Sequence, residues 1–302
     1  MYGFVLSFGI AIGSLFASGT GSDTLDQRAF ARAAFERLQH ALPDSKFKLI
    51  ERDDTGPAIE RAWPDGNSTI WFLGNAYQQY RSDPGQLDAI VDHQLRSWAE
   101  TRTAISARAS ESTDVLKHLL PVIKTRGWLE TTSRQLKSIA QPDKVAESEP
   151  LHRDLTGDLV LVFAQDDVEG MRFVTRGMLT QLRLHDEAAL EQGVLDNLAA
   201  RLGELKIAGK NGRYRLEFDN FYEASLALLA SRWRDRVAID GDPVIAIPAR
   251  NTLLVCGSRD RDSIDSLRKY ADSISDQAAY GLSKQLYTLR DGKLTLYDAQ
   301  TK

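Results

Sequence analysis

From residue 25 onward the apolar positions Leu25, Phe30, Ala34, Leu38 and Leu42 recur at near-helical spacing. Asp23 or Thr24 is placed to cap that helix, and Pro43 stops it. Short apolar stretches at 47–51, 58–63 and 69–73 predict three strands, the last two joined by the turn Pro64-Asp65-Gly66-Asn67. Asp83-Pro84 reads as an N-cap with proline in the first helical turn. Leu87, Ile90, Val91, Leu95 and Trp98 then share one helix face. Residues 101–114 are rich in Ser, Thr, Ala and Arg and pattern weakly. Residues 115–139 read as helical, with interruptions at Pro121 and Gly127. The polar stretch 141–149, near Pro142 and Pro150, reads as a linker.

The pattern then restarts. Leu159-Val160-Leu161-Val162-Phe163 is a continuous apolar run, which predicts a strand covered on both faces. Residues 166–170 read as its turn and 171–175 as the next strand. Leu190, Val194, Leu198 and Leu202 define a helix over 186–202. Strands at 206–208 and 214–218 flank the hairpin signal Lys210-Asn211-Gly212. Residues 222–235 read as a helix, 244–247 and 253–256 as a second hairpin, and Ile264, Leu267, Ala271 and Ile274 as one face of a last helix. A third hairpin closes over Asp291-Gly292. The fold class is therefore α+β, in two consecutive halves of antiparallel sheet with packed amphipathic helices. They occupy 23–140 and 158–302, joined by a linker at 141–157. Asn75-Ala76-Tyr77 and Asn220-Phe221-Tyr222 each follow a strand. That echo fits either two related halves or one common strand-to-helix corner met twice.

Residues 1–22 carry no charged side chain, and 2–16 are strongly apolar. That stretch is short of the ~20 residues a spanning helix needs, so no stable transmembrane helix is expected. Ala17-Ser18-Gly19 resembles a signal-peptide cleavage region, although no Lys or Arg precedes it. A cleaved leader implies export to the periplasm or beyond. The alternative is an apolar segment packed on a cytoplasmic fold.

The chain has 302 residues, with 38 Lys and Arg against 42 Asp and Glu, a net charge of −4. This balance argues against nucleic acid as a partner. A single cysteine, Cys256, excludes an intramolecular disulfide and a Cys-rich metal framework. No Walker A sequence, His-Glu-x-x-His or dinucleotide glycine pattern is present, so no motif implies a metal or cofactor.

Several clusters are candidates for chemistry. Asp158, Asp166 and Asp167 lie at the ends of the apolar strand and are the candidate catalytic carboxylates, able in principle to bind a cation or exchange a proton. As structure, they are what turns at strand ends require. His152-Arg153-Asp154 offers a His-Asp pair, or simply a loop entering a strand. Cys256 reads either as a thiol activated near a helix start or as a small core residue, and its neighbours Leu253-Leu254-Val255 favour the core. Arg232, Arg234 and Arg236 flank Trp233 and form the candidate binding patch. Arg259, Arg261 and the basic run Lys117, Lys124, Arg126, Arg134 and Lys137, with Trp128 among them, extend the same chemistry. Converging, they make an anion-binding face; apart, they are solvated helix faces.

The second half also resembles an uncharacterised bacterial family, the YtpQ-like proteins. The resemblance is carried by Asp158-Leu159-Val160-Leu161-Val162, Arg172-Phe173-Val174-Thr175 and Leu195-Asp196-Asn197-Leu198. It continues through Gly241-Asp242-Pro243-Val244-Ile245-Ala246-Ile247-Pro248-Ala249-Arg250, Leu253-Leu254-Val255, Leu282-Ser283 and Asp291-Gly292. The Asn75-Ala76-Tyr77 corner and the helix over 87–95 resemble its first half. The resemblance implies an α+β fold and a cytoplasmic protein, and supplies no site residues. The resulting expectation is a non-catalytic binding or adaptor protein with a basic-aromatic patch, taking a protein partner or a small anion. The alternative is a metal-assisted hydrolase or transferase using the strand-end carboxylates.

Overall fold

The computed structural model describes residues 24–51, 56–62, 68–107, 116–139, 145–167, 170–181, 187–278 and 280–298. The apolar leader at 1–22 and the turn Pro64-Asp65-Gly66-Asn67 lie outside them. Every strand pairing among the described residues is antiparallel, and helices pack on the sheets, so the fold is α+β.

The first unit opens with α1 (Gln27–Ala41), capped by Asp26, whose carboxylate accepts the Ala29 amide at 2.8 Å. β1 (Lys46–Ile50), β2 (Ala58–Ala62) and β3 (Ser68–Phe72) form a three-stranded meander. α2 (Gly74–Ser82) and α3 (Leu87–Ala107) follow. Phe30, Leu38, Ile59, Leu73, Tyr80 and Trp98 build a core confined to this unit. Trp98 stacks on Phe47 at 5.9 Å and meets Trp71 edge-on at 6.4 Å, geometries that suit the aromatic quadrupole.

The expected helix over 115–139 is in fact β4 (Leu119–Thr125) followed directly by α4 (Arg126–Ile139). Pro121 stops no helix here. β4 is an edge strand, where proline's missing amide costs no ladder bond. Within the expected linker 141–157, the described residues form α5 (Val145–Ser148) and β5 (His152–Asp154), and β5 pairs with β6 (Leu159–Asp167). β4 pairs along the other side of β6, and β7 (Gly170–Phe173) completes the sheet. One sheet thus draws strands from both sides of the expected boundary.

β6 is buried on both faces, as its unbroken apolar run requires. Leu161 and Phe163 face Leu190 and Val194 of α7 (Glu187–Ala200), which follows the short α6 (Arg176–Gln181). Val160, Val162 and Ala164 face Leu198, Tyr222 and Leu229.

The third sheet has six strands in the order β13-β12-β10-β11-β9-β8. These are β8 (Lys206–Lys210), β9 (Arg213–Glu217), β10 (Pro243–Ala249), β11 (Thr252–Gly257), β12 (Leu286–Arg290) and β13 (Lys293–Leu296). The β8–β9 turn places Asn211 and Gly212 at φ of 53° and 77°, as a tight hairpin demands. α8 (Arg261–Gln277) covers one face through Ile264, Leu267 and Ala271. The other face is covered by Ala224–Arg232, a 3-10 stretch kinked at Leu229 rather than the expected α-helix.

The sequence echo does not mark two related halves. β3 is an edge of a three-stranded sheet and leads into an α-helix. β9 lies inside a six-stranded sheet and leads into the 3-10 stretch.

Candidate functional site

The expected patch around Trp233 loses its aromatic member. Trp233 is fully buried, and its indole N–H donates to the Leu226 carbonyl at 2.8 Å. It belongs to the core beneath the six-stranded sheet, with Leu216, Leu226 and Val255. A large ring with one donor is well satisfied by such a position. Arg232 remains exposed, while Arg234 and Arg236 donate to the carbonyls of Gly241 and Leu205 at 3.4 and 3.2 Å.

The candidate carboxylates do not converge. Asp158 precedes β6 and Asp166 stands near its far end, about 25 Å away along an extended strand, so they share no cation. The side chains of Asp166 and Asp167 lie outside the described residues. Asp158 is engaged as a tie between sheets. Ser283 Oγ donates to its Oδ1 at 2.7 Å, and the Tyr287 hydroxyl lies 2.6 Å from the same oxygen and 2.6 Å from Ser283 Oγ. Burial first, then the bond to Asp158, raises the Tyr287 pKa above its ordinary range. Both hydroxyl residues are fully buried.

The other candidates are also structural. His152 Nδ1 meets the Pro150 carbonyl at 3.1 Å, and Asp154 pairs with Arg126 at 3.1 Å, so no His-Asp dyad forms. Cys256 is buried and its thiol is pushed up to about 12 by burial and Asp260, the reverse of activation. Among the described residues no cluster of His, Cys, Asp and Glu could hold a metal ion. Arg259 and Arg261 line an open cleft of about 690 Å³ with Arg268 and Arg290, but Asp242, Asp265 and Asp298 line it too.

The basic-aromatic combination occurs elsewhere, at Lys124 and Arg250. Alternation along β4 puts Leu120, Val122 and Lys124 on one face, and only the last carries charge. Thr125 Oγ1 accepts the Trp128 amide at 3.1 Å, so α4 starts at once and stands Trp128 beside Lys124. The Lys124 ammonium lies 5.1 Å from the Trp128 ring centre and 5.5 Å from that of Phe173. Those two rings are 5.0 Å apart. Lys124 is only 8% exposed. Its pKa is lowered to about 8, first by burial and then by the positive charge of Arg250.

Arg250 sits in the turn between β10 and β11. Its amide donates to the Tyr280 carbonyl, and its carbonyl accepts the Ala224 amide, each at 3.0 Å. With the backbone pinned, the guanidinium carbon lies over the Tyr280 ring at 3.9 Å and over the Phe221 ring at 4.9 Å. Its Nε is buried without a hydrogen-bond partner. Glu223 is turned to its own corner, where Oε1 accepts the amides of Phe218 and Asn220 at 3.0 and 2.8 Å, and its Oε2 is buried without a hydrogen-bond partner. No carboxylate of the described residues forms an ion pair with Lys124 or Arg250.

Sequence reasoning reached Lys124 and Trp128 only as members of a basic run, and did not join them to Arg250, Phe221, Tyr280 or Phe173. The one local signal is a lysine that closes an apolar strand. The chain matches no family model, no curated protein and no solved structure in comparisons with known proteins.

Proposed function

We propose that the chain is a non-catalytic binding protein that receives a small anion at Arg250 and Lys124. The observation that carries this reading is a guanidinium over two rings with a buried, unpartnered Nε, whose positive charge acts on a buried ammonium, with no carboxylate paired to either among the described residues. Two like charges drawn together out of water raise the free energy of the empty site. An arriving anion relieves that repulsion. Rings against the guanidinium faces leave its N–H edge free to meet a carboxylate or phosphate with two parallel bonds.

Calorimetric titration with acetate, benzoate and inorganic phosphate tests it. The wild type is expected to bind at least one, more weakly as salt rises. Arg250→Met should weaken binding by about 10–100-fold, the range for a lost charged hydrogen bond. Arg250→Lys keeps the charge and loses the fork, and should fall between them. Equal binding by wild type and Arg250→Met would overturn the site. Export through a cleaved leader at 1–22 and kinship with the YtpQ-like proteins stand as further proposals, resting on the sequence alone.

A further inference from the structure

We infer that the cleft beside α8 is a separate binding site for a sugar phosphate, a phosphate monoester on a hydroxylated body. It stands independently of the anion reading above. α8 packs on β10 and β11 through Ile264, Leu267 and Ala271, while β12 and β13 carry the same sheet on beyond the helix. At that step lies the cleft of about 690 Å³, a size that holds a small ligand. Arg261, Asp265 and Arg268 line it from one stripe of α8, since residues three and four apart are neighbours on a helix. Alternation along β12 puts Arg290 on the face of Leu286, which is the face that α8 covers, and Arg290 lines the cleft from the strand side.

The side chains of Arg261, Arg268 and Arg290 are exposed and form no hydrogen bond or ion pair among the described residues. Arg259 is engaged elsewhere, with Asp240 at 3.2 Å. Three uncommitted guanidiniums on one cavity suit a phosphate, whose oxygens accept paired N–H bonds. Charge alone does not describe the lining, because Asp242, Asp265 and Asp298 share it. A bare phosphate is repelled by those carboxylates. Carboxylates accept hydrogen bonds and donate none, so hydroxyl groups on the ligand satisfy them. Ile264 and the half-buried Tyr297, both packed on the core beneath, offer an apolar surface to the C–H face of a sugar.

The test is calorimetric titration of the full chain with glucose 6-phosphate, ribose 5-phosphate, glucose and inorganic phosphate. The comparison with inorganic phosphate is made in Arg250→Met, where the other anion site is removed. At least one sugar phosphate is expected to bind there about tenfold tighter than phosphate, with glucose not binding. Arg268→Met and Arg290→Met should each weaken that binding by about tenfold, the low end for a charged hydrogen bond lost at an open site. Neither side chain is bonded within the fold, so the unfolding midpoint should not move. Asp265→Asn should tighten inorganic phosphate and weaken the sugar phosphate. Tightening of both would reduce the cleft to a plain cationic surface and sink the inference. So would tighter binding of phosphoethanolamine, in which an ammonium replaces the hydroxyls. Absence of sugar phosphate binding, or binding lost in Arg250→Met and kept in Arg268→Met, would overturn the cleft as the site.

Discussion

With its ammonium buried beside the Trp128 and Phe173 rings, Lys124 has its pKa lowered to about 8 when folded, against an ordinary 10.5. Between those values the unfolded chain holds more protons than the folded one, so stability rises with pH across that window. Below about pH 8 the cost of burying the charge is present in full, on the order of 3 kcal/mol. Arg250 adds to it as the charged group that acts on Lys124. Lys124→Met, similar in volume and uncharged, is therefore expected to raise the unfolding midpoint at pH 7 by several degrees. It should also flatten the climb in stability between pH 8 and 10.5, as read by urea denaturation across that range. A variant that gains stability and loses anion binding marks a residue kept for function rather than for the fold.

At the scale of elements, the Asp158–Ser283–Tyr287 cluster fastens the start of β6 to β12. Tyr287→Phe is expected to cost about 1–2 kcal/mol, and Asp158→Ala more, because it removes the acceptor of the network and leaves a buried hydroxyl donor unsatisfied. The double variant should cost less than the sum, since both changes break one network; denaturant midpoints measure all three. The three hairpins of the six-stranded sheet were legible because each carries its turn chemistry locally, as Asn211-Gly212 and Asp291-Gly292 do. β6 was legible from its unbroken apolar run. β4 was not. Pro121 reads as a helix interruption, and only the pairing of β4 along one side of β6 makes it an edge-strand proline. The sequence predicts a helix over 222–235, and the structure forms 3-10 turns there, over Ala224–Arg232 and Arg234–Arg236.

At the scale of the whole molecule, the core around Trp98 shares no residue with those of the other two sheets. Two calorimetric unfolding transitions are therefore expected, and Trp98→Ala should lower only one of them, by an amount in keeping with about 3–5 kcal/mol. A single transition lowered as a unit would refute the separation. The candidate site was illegible for a related reason. Lys124 and Arg250 come from different sheets, and composition marks neither as special. The Arg232–Arg236 patch was legible and still misleading, because Trp233 turns inward where its neighbours in sequence do not.

The same tie across the chain bears on how the protein is made. Asp158 waits for Ser283 and Tyr287, 125 and 129 positions later. At ribosomal speeds that is a delay of roughly ten seconds. Throughout it, the apolar strand β6 has its β4 partner but lacks the sheet that covers its entrance. The Leu159 end of β6, whose core Tyr287 completes, therefore stays partly uncovered until nearly the last hairpin emerges. Slow codons or truncation before residue 283 should be felt as aggregation during synthesis rather than as a weaker finished protein.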